Sequence, residues 1–148
     1  MGTVSVWMTL VLALAPLAGY LLGKFTKEEL APGKKYFIAA KHVLFTLSII
    51  VFLFAFKWQL WYVVIGLTVL FAYIAFAVFR NLLFAQLVLA LAFALTADTP
   101  LEFLCAALVF LHGLPAGTLL TSQKKGLHDA IMAGALFLVI ATGLQYFL

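Results

Sequence analysis

Charged residues are scarce in this sequence. Only 9% of its 148 residues are Asp, Glu, Lys or Arg, whereas 67% are hydrophobic. A soluble domain carries about 25% charged residues, because its surface must be compatible with water. Nine basic and five acidic side chains are too few to cover such a surface. The low charge therefore excludes a soluble globular domain and predicts that hydrocarbon surrounds most of the protein.

Cysteine and recognisable catalytic motifs are also scarce or absent. The single cysteine, Cys105, lies in an apolar run, which excludes an intramolecular disulfide framework and a multi-cysteine metal site. The sequence has no Ser–His–Asp set, no carboxylate pair and no phosphate-binding glycine loop. It also lacks the interleaved basic and aromatic residues of a nucleic-acid-binding surface. We therefore expect no catalytic residue, no metal site and no nucleic-acid partner, and we interpret Cys105 as a small buried or lipid-facing residue.

Long apolar runs make up most of the sequence. A bilayer core about 30 Å thick is crossed by about 20 helical residues. These runs lack the polar alternation that lines a transmembrane barrel, and helices satisfy their own backbone amides in lipid. The sequence therefore predicts an all-α integral membrane protein, a compact bundle of six transmembrane helices with short loops in a single domain, 1–148. The predicted helices are 3–23, 36–56, 59–79, 82–97, 101–121 and 127–147.

The basic residues predict an orientation. With six spans, the loops 24–35, 80–81 and 122–126 lie on one side of the membrane. Eight of the nine Lys and Arg residues belong to that side, and only Lys57 belongs to the other. Because basic loops are retained in the cytoplasm, these three loops are predicted to be cytoplasmic and both termini to lie outside. A cell (plasma) membrane is the expected location.

The loop 24–35 has its own local pattern. Its lysines are expected to attract anionic lipid headgroups. Thr26 and Glu29 have the spacing of a capping box, which would start one short helical turn. Pro32 and Gly33 are expected to end that turn before the second span begins.

Small residues recur at helical spacing in three of the predicted helices. Lipid tails are as apolar as leucine, so transmembrane helices associate through close approach of small residues. Residues four apart lie on one face of a helix. The third and fourth helices are rich in bulky side chains instead and are expected to face lipid or a subunit contact. The predicted packing faces are Ala15, Gly19 and Gly23 in the first helix, Gly113 and Gly117 in the fifth, and Ala130 and Gly134 in the sixth.

Two prolines lie inside predicted spans. Pro16 and Pro115 each remove a helix hydrogen bond and are expected to kink their helices. Together with Gly113 they are candidate hinge positions beside a binding site. The alternative is a static kink that lets neighbouring helices fit together.

Four polar side chains in or near the spans are candidate binding residues. His112 is the deepest ionisable group, about 13 Å from the cytoplasmic end of the fifth helix at 1.5 Å per residue. Lys41 and His42 lie in the second helix, and Gln86 lies about one turn into the fourth. An ionisable group is costly inside a membrane, so a binding role is the first hypothesis for these residues. The alternatives are a hydrogen-bonded neutral imidazole, a Lys41 that reaches the headgroups or pairs with Asp129, and a glutamine bonded across a helix or subunit interface.

The histidines also raise the question of a cofactor. Imidazoles of His42 and His112 on facing helices would be able to clamp a b-type haem, and His128 would add a third ligand for zinc. No two of these histidines have ligand spacing within one helix. Both cofactors therefore depend on tertiary proximity, and the sequence predicts neither.

Three functions remain compatible with these residues. The favoured hypothesis is transport or permeation of an ion or small solute by a homo-oligomer, since a 148-residue bundle has little interior of its own. The first alternative is a non-catalytic accessory or scaffold membrane protein. The second alternative is a membrane enzyme or a protein with histidine-ligated haem or metal.

Overall fold

A computed structural model describes residues 3–55, 59–75, 81–97 and 99–147. Within these ranges all regular structure is helical and there is no strand, which confirms the all-α prediction. A single 3₁₀ turn, Leu120–Ser122, connects the last two helices. The helices are α1 (Thr3–Phe25), α2 (Lys27–Ala55), α3 (Leu60–Ala75), α4 (Leu82–Thr96), α5 (Glu102–Leu119) and α6 (Gly126–Phe147).

Within the described ranges, four of the six helices are long and apolar enough to cross a membrane. Their apolar stretches are Val6–Phe25, Pro32–Ala55, Glu102–Leu120 and Gly126–Tyr146. The apolar parts of α3 and α4 are shorter, Trp61–Tyr73 and Leu82–Thr96. The predicted turn at 80–81 is described only at Asn81, which caps the N-terminus of α4 by accepting a hydrogen bond from the Leu83 amide. Arg80 lies outside the described residues.

The prediction of a loop over 24–35 is wrong for most of that segment. α2 begins at Lys27, and only Thr26 separates it from α1. Lysine, glutamate, leucine and alanine all favour helix, and a single proline near the start of a helix removes only one hydrogen bond. The Thr26 hydroxyl donates to the Leu22 carbonyl at 3.0 Å and closes the end of α1. The Glu29 side chain of the expected capping box lies outside the described residues.

All six helices contribute side chains to the core of the bundle. α1 packs most extensively against α5 and also contacts α6, while α2 lies against another face of α5. α4 packs against α6, α2 and α5, and the main contacts of α3 are with α2. The fourth helix was expected to face lipid, but ten of its fifteen residues are buried. Its alanines explain the difference, because Ala85, Ala90, Ala92 and Ala94 let α4 approach its neighbours closely.

The most extensive helix contact is a parallel crossing of α1 and α5. A methyl group placed on Gly19 would collide with the Leu114 carbonyl, and one on Gly117 would collide with the Pro16 carbonyl. Gly23 lies further along, against Thr118 and Thr121. The contacting residue numbers increase together, from Gly19 and Leu114 to Gly23 and Thr118, so α1 and α5 run in the same direction. Both helices continue unbroken through their prolines.

The sixth helix meets α1 on a neighbouring face. Ala130 is fully buried, and a methyl group on Gly134 would collide with the Ala13 carbonyl. Gly126, at the start of α6, lies against the Leu120 carbonyl and the ring of Tyr20. The small residues identified in the sequence thus lie where α1, α5 and α6 approach most closely.

Candidate functional site

His112 lies at the centre of the candidate site. It is on α5 and has no exposed surface. Among the residues that the structure describes, neither of its ring nitrogens has a hydrogen-bond partner. A buried polar group without a partner costs about 1–3 kcal/mol relative to a paired one. This imidazole therefore offers a donor and an acceptor that the described fold does not use.

The wall facing His112 is formed by one face of α2. Phe45 is fully buried, and its ring centroid lies 6.0 Å from that of the His112 ring at an interplanar angle of 55°. His42 precedes Phe45 by three residues and lies on the same side of the helix. The further residues of this face, Ile49 and Phe52, continue into the apolar core.

Tyr73 connects α3 to this wall. Its hydroxyl lies 2.8 Å from Nδ1 of His42, and its ring stacks on Phe45 with centroids 3.9 Å apart and an angle of 15°. The His42 and Tyr73 rings also meet edge to face, 5.4 Å apart. Only 2% of Tyr73 is exposed. One tyrosine thus orients both His42 and Phe45, which fixes the wall of the site.

Two basic side chains of α2, Lys41 and His42, act electrostatically on the His112 imidazole. Lys41 is partly exposed. The structure therefore brings three of the four predicted binding residues, Lys41, His42 and His112, into one electrostatic neighbourhood.

Gln86 is the remaining predicted binding residue. It lies on α4, is 1% exposed, and neither of its amide atoms has a hydrogen-bond partner within the described ranges. The same holds for the amide atoms of Gln145 on α6. The bundle therefore contains unpaired polar groups on three helices, α4, α5 and α6.

His128, Asp129 and Cys105 are ionisable groups with local contacts of their own. Nδ1 of His128 is 3.3 Å from Oδ1 of Asp129, and both residues are in the first turns of α6, where an acidic group is favoured by the helix dipole. The His128 side chain is 69% exposed. Cys105 is fully buried near the start of α5, and the Thr96 side chain forms a hydrogen bond with it. These residues have structural explanations of their own.

The residues for a metal site do not come together in the described part of the chain. No group of three or more His, Cys, Asp and Glu side chains is placed to hold a metal ion there. His42 and His112 are neighbours, but Nδ1 of His42 is already engaged by the Tyr73 hydroxyl. Nothing in this geometry favours a zinc site built from His42, His112 and His128.

Sequence reasoning missed Phe45 and Tyr73. Phe45 follows His42 by three residues, so helical periodicity alone would have placed the two on one face. Tyr73 carried no comparable signal, because its position opposite His42 depends on how α3 packs against α2. Of the proposed hinge positions, Pro16 and Gly113 are buried where α1 and α5 meet, and Pro115 is buried on α5.

No protein-family model, curated protein or solved structure matches this chain.

Proposed function

We propose that the protein is a membrane protein of six transmembrane helices that moves a small solute or ion across a cell membrane. In this proposal both termini lie outside, and the segments 24–35, 80–81 and 122–126 face the cytoplasm. The observation that carries the proposal is His112, which is fully buried and has no hydrogen-bond partner for either ring nitrogen among the described residues.

The cost of this arrangement supports a binding role. An unpaired imidazole in an apolar interior is destabilising by about 1–3 kcal/mol, and a leucine of similar size would avoid the cost. Intramembrane ionisable groups usually line a pathway for a substrate or an ion. A solute bound at His112 would supply the missing partner and recover this free energy.

A homo-oligomer is the proposed working form. The described interior of one bundle is closely packed, with α1, α5 and α6 separated by glycine and alanine contacts. α3 packs against α2 and leaves large apolar side chains exposed, among them Ile65, Leu67 and Phe71. An exposed bulky face on a helix of this kind suits a contact with a second protomer.

Reconstitution tests the transport proposal directly. Purified protein would be placed in liposomes and planar bilayers, and its permeability to urea, glycerol, potassium, sodium, nitrate and formate compared with protein-free membranes. We expect His112→Ala to lose the permeability of the wild type, whereas His128→Ala, at the exposed position, retains it. A wild-type protein that moves none of these solutes, or a His112→Ala variant that moves them equally well, would contradict the proposal.

Labelling of introduced cysteines tests the orientation. In a Cys105→Ala background, single cysteines at Ser122 and Lys124 are expected to be protected from an impermeant maleimide added to intact cells. Single cysteines at Gln59 and Pro100 are expected to react, because the proposal places them outside. All four native residues are exposed, so accessibility to the reagent is set by the side of the membrane. The opposite labelling pattern would reverse the proposed orientation.

A further inference from the structure

A narrow cavity lies between α2, α3 and α4. This slot has a volume of about 140 Å³ and is lined by Ile49 and Phe52 of α2, by Ile65 and Val69 of α3, and by one face of α4. None of its nine lining residues has a polar side chain. A buried water needs about two to four polar partners, whereas a dry apolar cavity of about 150 Å³ takes up benzene or xenon. The occupant that suits the slot is therefore a hydrocarbon.

The slot is elongated along α4. Val88, Leu91, Ala92 and Leu95 line it at positions i, i+3, i+4 and i+7, which form one face of the helix. At 1.5 Å per residue, this face is about 10 Å long. A straight chain fills a space of this shape better than a compact molecule does.

One end of the slot lies close to the end of the bundle. Leu95 is next to the last residue of α4, Phe52 is in the last turn of α2, and Ile65 is in the second turn of α3. The slot extends from there toward the middle of the three helices. One leaflet of a bilayer core about 30 Å thick occupies about 15 Å. The slot therefore covers most of the depth that one acyl chain occupies.

The slot opens at the outside of the bundle. Ile65 and Leu91 are exposed, whereas Ile49, Val88 and Ala92 are buried and form the floor. A chain from the surrounding bilayer therefore reaches the slot from the side, without passing through the packed core.

The bulky exposed side chains of α3 lie largely on its opposite face. Consecutive residues of a helix are turned by about 100°, so Leu67 and Phe71 point away from Gly66 and Val69, which line the slot. A second protomer packed on Leu67 and Phe71 would leave the slot open to lipid. The geometry thus favours lipid over a second copy of the chain as the occupant.

From these observations we infer that the slot binds one acyl chain of a phospholipid from the outer leaflet, aligned with α4. The inference rests on the proposed membrane arrangement for the access of lipid and for the leaflet. It goes beyond the transport proposal, because binding of a chain is measurable without any flux. The bound chain would connect α3 to α4, whereas the main contacts of α3 within the protein are with α2.

Nuclear magnetic resonance of the full-length protein, labelled at its valine methyl groups, tests the binding. The protein would be purified in glyco-diosgenin, a detergent with a rigid steroidal tail, and titrated with oleoyl lysophosphatidylcholine, which has one chain. Glycerophosphocholine, with the same headgroup and no chain, is the control. We expect a saturable change in the Val88 methyl signals, with nuclear Overhauser effects from the chain protons, and no change with the chainless control.

Two further valines are internal references. Val109 is 1% exposed and does not line the slot, so its signals should not move. Val139 is 70% exposed, so its signals should change in proportion to the added lipid without saturating. A wild-type protein in which Val88 behaves like either reference would overturn the inference.

Two variants fill the slot. Ala92→Leu and Leu95→Phe each add apolar atoms to its lining and are expected to weaken chain binding by about tenfold or more, because space for buried methylene groups is lost. Ala39→Leu makes the same change as the first variant at an exposed position of α2 outside the slot, and it should bind as the wild type does. Unchanged Val109 signals would show that each variant is folded. Equal affinities of both filled variants and the wild type would contradict a chain in the slot.

Occupancy by a second protomer and failure of the transport proposal give different results. In a mixture of deuterated, methyl-labelled copies and unlabelled copies, nuclear Overhauser effects at Val88 from protein, with none from lipid, would overturn the inference. Saturable chain binding without any transport in liposomes would leave the lipid slot standing and remove the transport proposal. Transport without a saturable change at Val88 would remove the lipid slot and leave the transport proposal.

Discussion

The hydroxyl oxygen of Thr118 on α5 lies 2.9 Å from the carbonyl oxygen of Gly19 on α1. It also lies 2.9 Å from the Leu114 carbonyl of its own helix. A hydroxyl group has one hydrogen, so the two carbonyls share a single donor. The contact across helices forms only because Gly19 has no side chain to hold α5 away. A hydrogen bond and a glycine contact thus stabilise α1 and α5 at the same place.

Replacement of Thr118 by valine is expected to weaken this helix pair. Valine keeps the shape of threonine and removes the donor, and interhelical hydrogen bonds in membrane proteins contribute about 0.6 kcal/mol on average and at most about 1.7. We predict that Thr118→Val lowers the free energy of unfolding in bicelles by about 1 kcal/mol. Thr68→Val is the matched control, because Thr68 is exposed and bonds to Val64 of its own helix. Equal effects of the two variants would contradict the prediction.

A methyl group at Gly117 is expected to be more damaging. It would collide with the Pro16 carbonyl, which belongs to a backbone and cannot rotate away. Overpacking of this kind typically costs about 1–3 kcal/mol. Gly117→Ala should therefore lower the unfolding free energy by that amount, measured by denaturation in mixed micelles. Gly143→Ala is the control, because nothing lies within 4 Å of a methyl group there, and it should be neutral or slightly stabilising.

His112 is expected to be a site where stability and function oppose each other. His112→Leu removes a buried polar group that has no partner among the described residues and keeps a similar volume. We predict that it raises the free energy of unfolding by about 1 kcal/mol while abolishing the permeability of the reconstituted protein. His128→Leu, at an exposed ring, should change stability by less than about 0.5 kcal/mol. A His112→Leu protein that is less stable than the wild type would indicate an unidentified partner for the imidazole.

Tyr73 permits its two interactions to be separated. Tyr73→Phe keeps the ring stacked on Phe45 and removes the hydroxyl that meets His42, whereas Tyr73→Leu removes both. The free energy of unfolding of Tyr73→Phe is expected to be about 0.5–1.5 kcal/mol lower than that of the wild type. Tyr73→Leu should lower it further, because the ring stacking is lost as well. A double-mutant cycle of Tyr73→Phe with His42→Ala should give a coupling energy in the same range. A coupling energy near zero would mean that the hydrogen bond contributes nothing to the wall of the site.

Cys105 provides a natural probe of the core. It is the single cysteine in the sequence and is fully buried between α5 and its neighbours. A maleimide that enters detergent micelles should not label it in the folded protein and should label it fully after denaturation. In a Cys105→Ala background, Ser122→Cys should react at once, because Ser122 is exposed. Rapid labelling of native Cys105 would show that the α4–α5 region opens well below the global unfolding transition.

Composition and periodicity were sufficient for the helical architecture. Hydropathy located the long helices, because apolar runs of about 20 residues have few other stable forms. Glycine and alanine spacing identified the faces on which Gly19, Gly117 and Gly134 now lie. The start of α2 was missed, because Pro32 and Gly33 in a lysine-rich segment have the composition of a loop. The burial of α4 was missed as well, because its phenylalanines and leucines have the composition of a lipid-facing helix. Its alanines, which allow close packing, were not weighed against them.

Individual residues of the candidate site were predictable from the sequence, but their arrangement in space was not. His112 and His42 were identifiable as ionisable groups in apolar runs, and that property is local. The stacking of Tyr73 on Phe45 depends on the approach of α3 to α2, which no periodicity encodes. The electrostatic effect of Lys41 and His42 on His112 likewise depends on the packing of α2 against α5.

The α1–α5 contact also constrains how the protein is made. Gly19 and Thr118 are separated by 99 positions in the chain. At about 5–20 residues per second, a ribosome needs about 5–20 s to synthesise that interval. In the proposed topology, α1 enters the bilayer with its glycine face unpaired, and it depends on later helices to cover it. The order of synthesis therefore leaves time for α1 to associate with α1 of another nascent chain.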